Sequence, residues 1–130
     1  MQYRSDTDAR QRATVLIIEN GLVLLTRDRD MDLFILPGGG INEGESREDG
    51  AARELLEETG LVAREFNFVL SHRSPVAAHH VFIPGVIEGT AIASREIEEV
   101  TWWDGIQPLK TTSSVIPILS DPRIGFLATP

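Results

Sequence analysis

The segment from Pro37 to Gly60 constrains this chain more than any other. A proline leads into three glycines, Gly38-Gly39-Gly40, and then into a helix-forming stretch that stops at Gly60. The glycine run reads as a loop, free to adopt positive φ and to bring backbone close to a ligand. Ser46 followed by Asp49 has capping-box spacing, and Gly60 stands where a helix C′ glycine belongs. A helix is therefore predicted over 46–59. Within it Glu54, Glu57 and Glu58 lie at i, i+3 and i+4 and share one face. Ala52, Leu55, Leu56 and Thr59 cluster on the other side and can pack onto a sheet.

The flanking pattern supplies strands. Thr14 to Glu19 is rich in β-branched residues, and Asn20-Gly21 is a strong hairpin signal. Leu22 to Thr26 reads as the returning strand. Both runs are apolar throughout, as strands covered on both faces would be. Leu33 to Leu36 reads as a short strand stopped by Pro37. Leu61 to His72 and Ala77 to Ile87 are further strand regions, with Pro84-Gly85 pointing to an edge or a bulge in the second. Ser94 to Glu99 reads as an acidic loop and Val100 to Trp103 as a short strand. Ser113 or Ser114 caps a last short helix through Leu119. The ends, 1 to about 11 and 121–130, read as a flexible lead-in and an irregular tail. The expectation is one α/β domain over 1–130, a sandwich with a mixed sheet and inserted helices.

Bulk properties narrow the function. The 130 residues fit one compact domain, and the absence of cysteine removes disulfides, thiolate metal sites and thiol nucleophiles. A formal charge of −8 repels a polyanion, so DNA or RNA is excluded as a bulk partner. An anionic small molecule stays compatible if a metal ion bridges the like charges. The polar start, Met1 to Arg12, is not a secretory signal, and no apolar run reaches membrane-spanning length. A cytoplasmic location without membrane partners is expected.

The acidic helix face carries the chemistry. Like charges at this spacing cost roughly a few tenths of a kcal/mol per pair in an isolated helix. The bland explanation is a solvated face, and Glu48 and Asp49 read that way. Stacking three carboxylates makes sense if a hard cation sits among them. Magnesium prefers oxygen ligands and keeps several waters, so a few carboxylates plus substrate phosphates suit it. The adjoining glycines can offer carbonyls to the metal or N–H groups to a phosphate. Arg53, four residues before Glu57, can hold that carboxylate in place.

The whole stretch Gly39 to Leu61, GGINEGESREDGAARELLEETGL, resembles the signature of the Nudix hydrolase family, G-x5-E-x7-R-E-U-x-E-E-x-G-U with U aliphatic. The matching residues are Gly39, Glu45, Arg53, Glu54, Leu55, Glu57, Glu58, Gly60 and Leu61. A chance match at a given start is on the order of one in a billion at average residue usage. Phe34-Ile35-Leu36-Pro37-Gly38-Gly39 resembles the aromatic-x-Leu-Pro-Gly-Gly run that precedes the signature in the family. Glu98-Glu99-Val100-Thr101-Trp102-Trp103 resembles its acidic residue before a strand tryptophan. The resemblance implies a Nudix-type αβα sandwich from near Arg12 to near Leu119.

The resemblance also implies an activity. Family members are pyrophosphohydrolases that direct water at one phosphorus of a nucleoside di- or triphosphate derivative, releasing a nucleotide and a phosphate-bearing fragment. The implied cofactor is Mg2+, with Mn2+ as the alternative. By similarity Glu57 and Glu58 are the main metal ligands, with the Gly39 carbonyl as a third. Glu54 is either a further ligand or the general base. Arg53 and Glu45 orient these groups, and Gly60 is structural. Glu98 or Glu99 completes the metal shell, acts as base, or is plain surface, with Glu99 taken as the catalytic candidate.

Outside the signature, Phe34, Arg27, Trp102 and His80 are the candidates for substrate contact, weighed against core packing for the aromatics and solvated surface for the arginine. Phe82, Trp103, Arg29, Arg73 and His79 are secondary. Adjacent tryptophans and adjacent histidines on strands face opposite ways. The competing function is a non-catalytic module that binds or senses a nucleotide or nucleotide sugar on the same fold. Isopentenyl diphosphate isomerases resemble the family too, but rely on a cysteine that this chain lacks. The short chain resembles the small MutT-like members, which favours a triphosphate-type substrate. Monomer and homodimer are both compatible.

Overall fold

The structure is a computed structural model and describes residues 10–127. The first nine residues of the expected lead-in and the last three of the tail lie outside the described residues. Seven strands and two helices follow in the order β1 (Arg10–Val15), β2 (Ile18–Glu19), β3 (Leu22–Asp28), β4 (Gly38–Gly40), α1 (Arg47–Thr59), β5 (Val62–Arg73), β6 (Ala77–Glu88), β7 (Ile97–Trp103) and α2 (Val115–Ser120). No helix among the described residues is long and apolar enough to cross a membrane.

The strands form two sheets, one ordered β4-β1-β6-β5 and one ordered β2-β3-β7. In the first, β1 runs parallel to β6 and antiparallel to β4, so the sheet is mixed, as expected. The second is antiparallel throughout. The sheets form the middle layer. Ala51 and Leu55 of α1 pack with Ala13, Val15, Leu24 and Phe82 on one side. Val115, Ile118 and Leu119 of α2 pack with Leu16, Val23, Leu25 and Trp103 on the other. Alternation along β3 sends Leu24 to the first core and Val23 and Leu25 to the second. That strand is buried on both faces, which accounts for its unbroken apolar run. The fold is an αβα sandwich.

Several boundaries differ from the sequence reading. The run 14–19 is two strands, broken at Leu16-Ile17, where the chain leaves the mixed sheet for the antiparallel one. The expected lead-in overlaps β1, which starts at Arg10. Residues 33–36 form only isolated bridges, Phe34 with Thr111 and Ile35 with Thr26. The glycine run is a strand, pairing Gly38, Gly39 and Gly40 with Thr14, Ala13 and Arg12. Glycine makes a poor isolated strand, but here pairing with a central strand of the sheet overrides propensity. At Gly38, with φ 140°, a Cβ would run into the backbone of Ala13 and Thr14. Pro84-Gly85 lies beyond the reach of β1, which pairs with β6 only as far as Phe82. A proline there removes no hydrogen bond to β1.

Candidate active site

Helix α1 is fixed at both ends. The Asp49 N–H donates to Ser46 Oγ at 3.0 Å, and Gly60 closes the helix with φ 76° and an N–H to the Leu56 carbonyl. The loop after β6 takes two more carbonyls, Ile92 N–H donating to Thr59 and Ser94 N–H to Glu58. The buried side of the helix rests on the mixed sheet and turns Glu54 and Glu58 toward β4. These side chains meet the Gly38–Gly40 backbone in a polar pocket of about 310 Å3.

Each carboxylate is held differently. Glu58 Oε1 accepts the Gly38 N–H at 2.9 Å, and burial pushes its carboxyl up to about 8 against the pull of that hydrogen bond and of nearby Arg12. Glu54 lies directly over Gly39, where a Cβ would come within 2.6 Å of both carboxylate oxygens. Arg53 Nη1 donates to Glu54 Oε1 at 2.9 Å and reaches Glu57 Oε2 at 3.4 Å. The same guanidinium donates from Nη2 to the Gly40 carbonyl at 3.0 Å. Its hydrogen bonds to Glu45, joined by the Asn42 N–H, hold the Glu45 carboxyl down to about 2. Glu57, expected on the same face, is exposed and does not line the pocket.

The other walls of the pocket come from Arg10, Arg12, Asp28, Ile35, Glu96 and Ile97. Arg10, Arg12, Asp28 and Glu96 were not singled out in the sequence. For the arginines a signal existed, since alternate residues on a strand share a face. Of the three glutamates after β6, Glu96 lines the pocket, whereas the sequence pointed to Glu98 and Glu99. Glu98 is instead bound to Arg29 at 2.6 Å, and Glu99 to Arg27 at 3.4 Å, both on exposed surface. The Glu96 carbonyl accepts the Arg29 N–H, which fixes the loop against the end of β3.

The candidate substrate contacts divide in the same way. Phe34 is buried in the α2-side core with Arg27 over its ring at 5.8 Å, and neither lines the acidic pocket. Trp103 is buried and donates from Nε1 to the Gln107 carbonyl, while Trp102 borders a different cavity near Asn20 and Thr90. His80 is buried, with its ring nitrogens against Ser71 and Gln11. His79, on the opposite face, lines a mostly apolar cavity of about 290 Å3 beside the acidic pocket, with Met31, Val76 and Ser114. Burial lowers the His79 imidazole to about 4, so the ring is neutral at ordinary pH.

The donor chemistry suits a small divalent cation. Glu54, Glu58, Asp28 and Glu96 offer hard oxygens, and a positive ion would relieve the cost of a buried Glu58 charge. Among the described residues no three acidic or histidine side chains already converge as a cage. A metal that keeps waters and takes ligands from substrate phosphates does not need one.

Comparison with known proteins gives a consistent result. A Bacillus subtilis protein assigned as an 8-oxo-dGTP diphosphatase is 36% identical over 91 residues, 64% of this chain and 58% of that protein. An ADP-ribose pyrophosphatase of Methanocaldococcus jannaschii is 31% identical over 94 residues, 66% of this chain and 56% of that protein. The chain thus spans a little over half the length of these curated relatives. The crystal structure of a protein described as a nudix hydrolase family member, from Chromobacterium violaceum, superposes with a TM-score of 0.76 at 30% identity, over 88% of this chain and 77% of that one. A family model of the NUDIX domain matches residues 9–114, which contain both walls of the acidic pocket, and the chain belongs to that family.

Proposed function

We propose that this chain is a pyrophosphohydrolase that uses Mg2+, or Mn2+ in its place, to split the diphosphate linkage of a nucleotide-type substrate. The observation that carries the reading is the meeting of Glu54 and Glu58 with the Gly38–Gly40 backbone in one pocket. Glu57, Glu58 and the Gly39 carbonyl would hold the metal, with Glu54 as a further ligand or as the base; of these carboxylates Glu54 and Glu58 line the pocket, and Glu57, exposed and paired with Arg53, would have to turn to reach the ion. When bound, it neutralises diphosphate oxygens and lowers the pKa of a coordinated water. The protein's part is positioning. Arg53 ties Glu54 to Gly40, and the Gly38 N–H fixes Glu58. The proton of the attacking water passes to a carboxylate that faces the pocket, with Glu54 and Glu96 as the candidates. Glu99, held in its surface pair with Arg27, is the weaker choice.

The organic part of the substrate fits the neighbouring cavity, whose lining is mostly apolar with neutral His79 and several hydroxyls. The relatives named for 8-oxo-dGTP and ADP-ribose suggest a nucleoside diphosphate unit and leave the rest of the substrate open. A screen of nucleoside triphosphates, oxidised dGTP, ADP-ribose, sugar nucleotides and dinucleoside polyphosphates, each with Mg2+ and with EDTA, tests the reading. Metal-dependent release of phosphate-bearing fragments from one class, reduced at least about a hundredfold by Glu57→Gln, is expected. Tight nucleotide binding in EDTA with no hydrolysis in Mg2+ would replace it with the binding-module reading.

A further inference from the structure

Arg12 stands where the two cavities meet. It lines both the acidic pocket and the apolar one, together with Arg10 and Ile35. It sits on β1, between β4 and β6, with Gly40 as its register partner on one side and His79 on the other. Its backbone is therefore held from both flanks, unlike that of a loop arginine. Its Nη2 donates to the Leu36 carbonyl at 2.8 Å. Its Nε is shielded from solvent and has no hydrogen-bond partner among the described residues.

That combination is costly. A buried N–H left unpaired loses its hydration with nothing in exchange, and loses more when it belongs to a charged group. Glu54, Glu58 and Asp28 are near enough to act on Arg12 through their charges. None forms an ion pair with it, whereas Arg53 binds three carboxylates a short distance away. An acceptor missing from the protein would satisfy the orphan. Such an acceptor gains from negative charge and would enter where the polar and the apolar space meet.

We propose that Arg12 binds a non-bridging oxygen of the phosphoryl group that joins the diphosphate to the organic part of the substrate. The inference rests on the diphosphate reading of the pocket and adds a substrate contact that involves no metal. The guanidinium N–H groups not taken by the Leu36 carbonyl are donors that a phosphate accepts, and a small shift of the side chain would bring the enclosed Nε beside them. Arg10, two residues away on the same face of β1, adds positive charge at the same boundary. The acidic helix and the strand arginines then divide the substrate. The carboxylates, through their cation, take the reacting end, and Arg12 takes the end bearing the organic group.

The test uses inorganic pyrophosphate as the probe, titrated calorimetrically in Mg2+ into wild type, Arg12→Gln and Arg12→Lys. Bare Mn2+ is titrated separately without phosphate. Arg12→Gln is expected to weaken pyrophosphate binding at least about tenfold, the worth of one charge-assisted hydrogen bond. Bare Mn2+ should bind equally well or tighter, because a positive neighbour has gone. Arg12→Lys keeps the charge without the fork and should fall between. A variant that merely damaged the pocket would lose Mn2+ and pyrophosphate together, and that result overturns the proposal. So does pyrophosphate binding by Arg12→Gln within twofold of wild type, or full rescue by lysine, which lacks the Nε donor. Hydrolysis is scored independently with the substrate screen. A chain that cleaves nothing sinks the hydrolase reading, while an unchanged Arg12→Gln affinity sinks only this one.

Discussion

Arg53 grips Glu45 with two parallel hydrogen bonds, Nε to Oε2 at 2.7 Å and Nη2 to Oε1 at 3.0 Å. The pair joins the middle of α1 to the loop between β4 and that helix, and its remaining donors reach Glu54 and the Gly40 carbonyl. The fork needs a planar guanidinium, which an ammonium does not provide. Arg53→Lys should therefore fold but melt at a lower temperature, with turnover reduced at least about tenfold through a loosened Glu54. Thermal melts alongside steady-state kinetics check this, and unchanged kinetics would mean that the fork does not position Glu54.

Gly39→Ala separates shape from charge. The alanine Cβ would displace the Glu54 carboxylate, whose three carboxyl atoms are the nearest to it. The variant should need at least about tenfold more metal for half-maximal activity, the scale expected when a ligand is misplaced. An activity titration with Mn2+ reads this directly. A wild-type metal requirement would show that Glu54 is not a ligand.

Glu58 is charged only at a cost in stability. Its carboxyl is raised to about 8, above the value of about 4.3 for glutamate in an unfolded chain. The folded form thus prefers the proton. This contribution to stability is fully present below about pH 4 and disappears as the pH rises through about 8. In EDTA, Glu58→Gln should be more stable than wild type at pH 9, by on the order of 1–3 kcal/mol once partial exposure is allowed for. The two proteins should converge near pH 5. Denaturant titrations at both pH values measure the difference, and a variant no more stable than wild type at pH 9 contradicts it.

The three glutamates after β6 should behave differently. Glu96 lines the pocket, while Glu98 and Glu99 are tied to Arg29 and Arg27 on exposed surface. Glu96→Gln is expected to lower turnover at least about tenfold. Glu98→Gln and Glu99→Gln should stay within about twofold of wild type, as surface ion pairs contribute little. Parallel kinetics on the three variants decide which carboxylate belongs to the site.

These contrasts mark where the sequence was readable. Helix α1, its caps at Ser46 and Gly60, and the shared face of Glu54 and Glu58 were legible because each depends on neighbours within four residues, whereas Glu57, expected on the same face, does not line the pocket. The strand of glycines was not, because Gly38–Gly40 is extended only through pairing with a partner some 25 residues earlier in the chain. Glu99 drew attention over Glu96 for a related reason. A register shift between Arg27 and Asp28 sets Glu99 opposite Arg27 and Ile97 opposite Asp28, and no local pattern announces that shift. Arg10 was hidden by the reading of residues 1 to about 11 as a lead-in, and Arg12 fell between that lead-in and the strand expected from Thr14. His79 and His80 were correctly expected to face apart, but which one meets a cavity is set by what lies across β6.

The wall of the acidic pocket beneath Glu54 is main chain, since β4 consists of glycine alone. Such a wall has no side chain to exchange, and any residue larger than glycine at 38 or 39 collides with what lies opposite. Inheritance of the chemistry and of the substrate preference is thereby uncoupled. A lineage can alter Met31, Val76 or Thr112 around the neighbouring cavity and change what it accepts, while the floor on which the carboxylates rest stays the same.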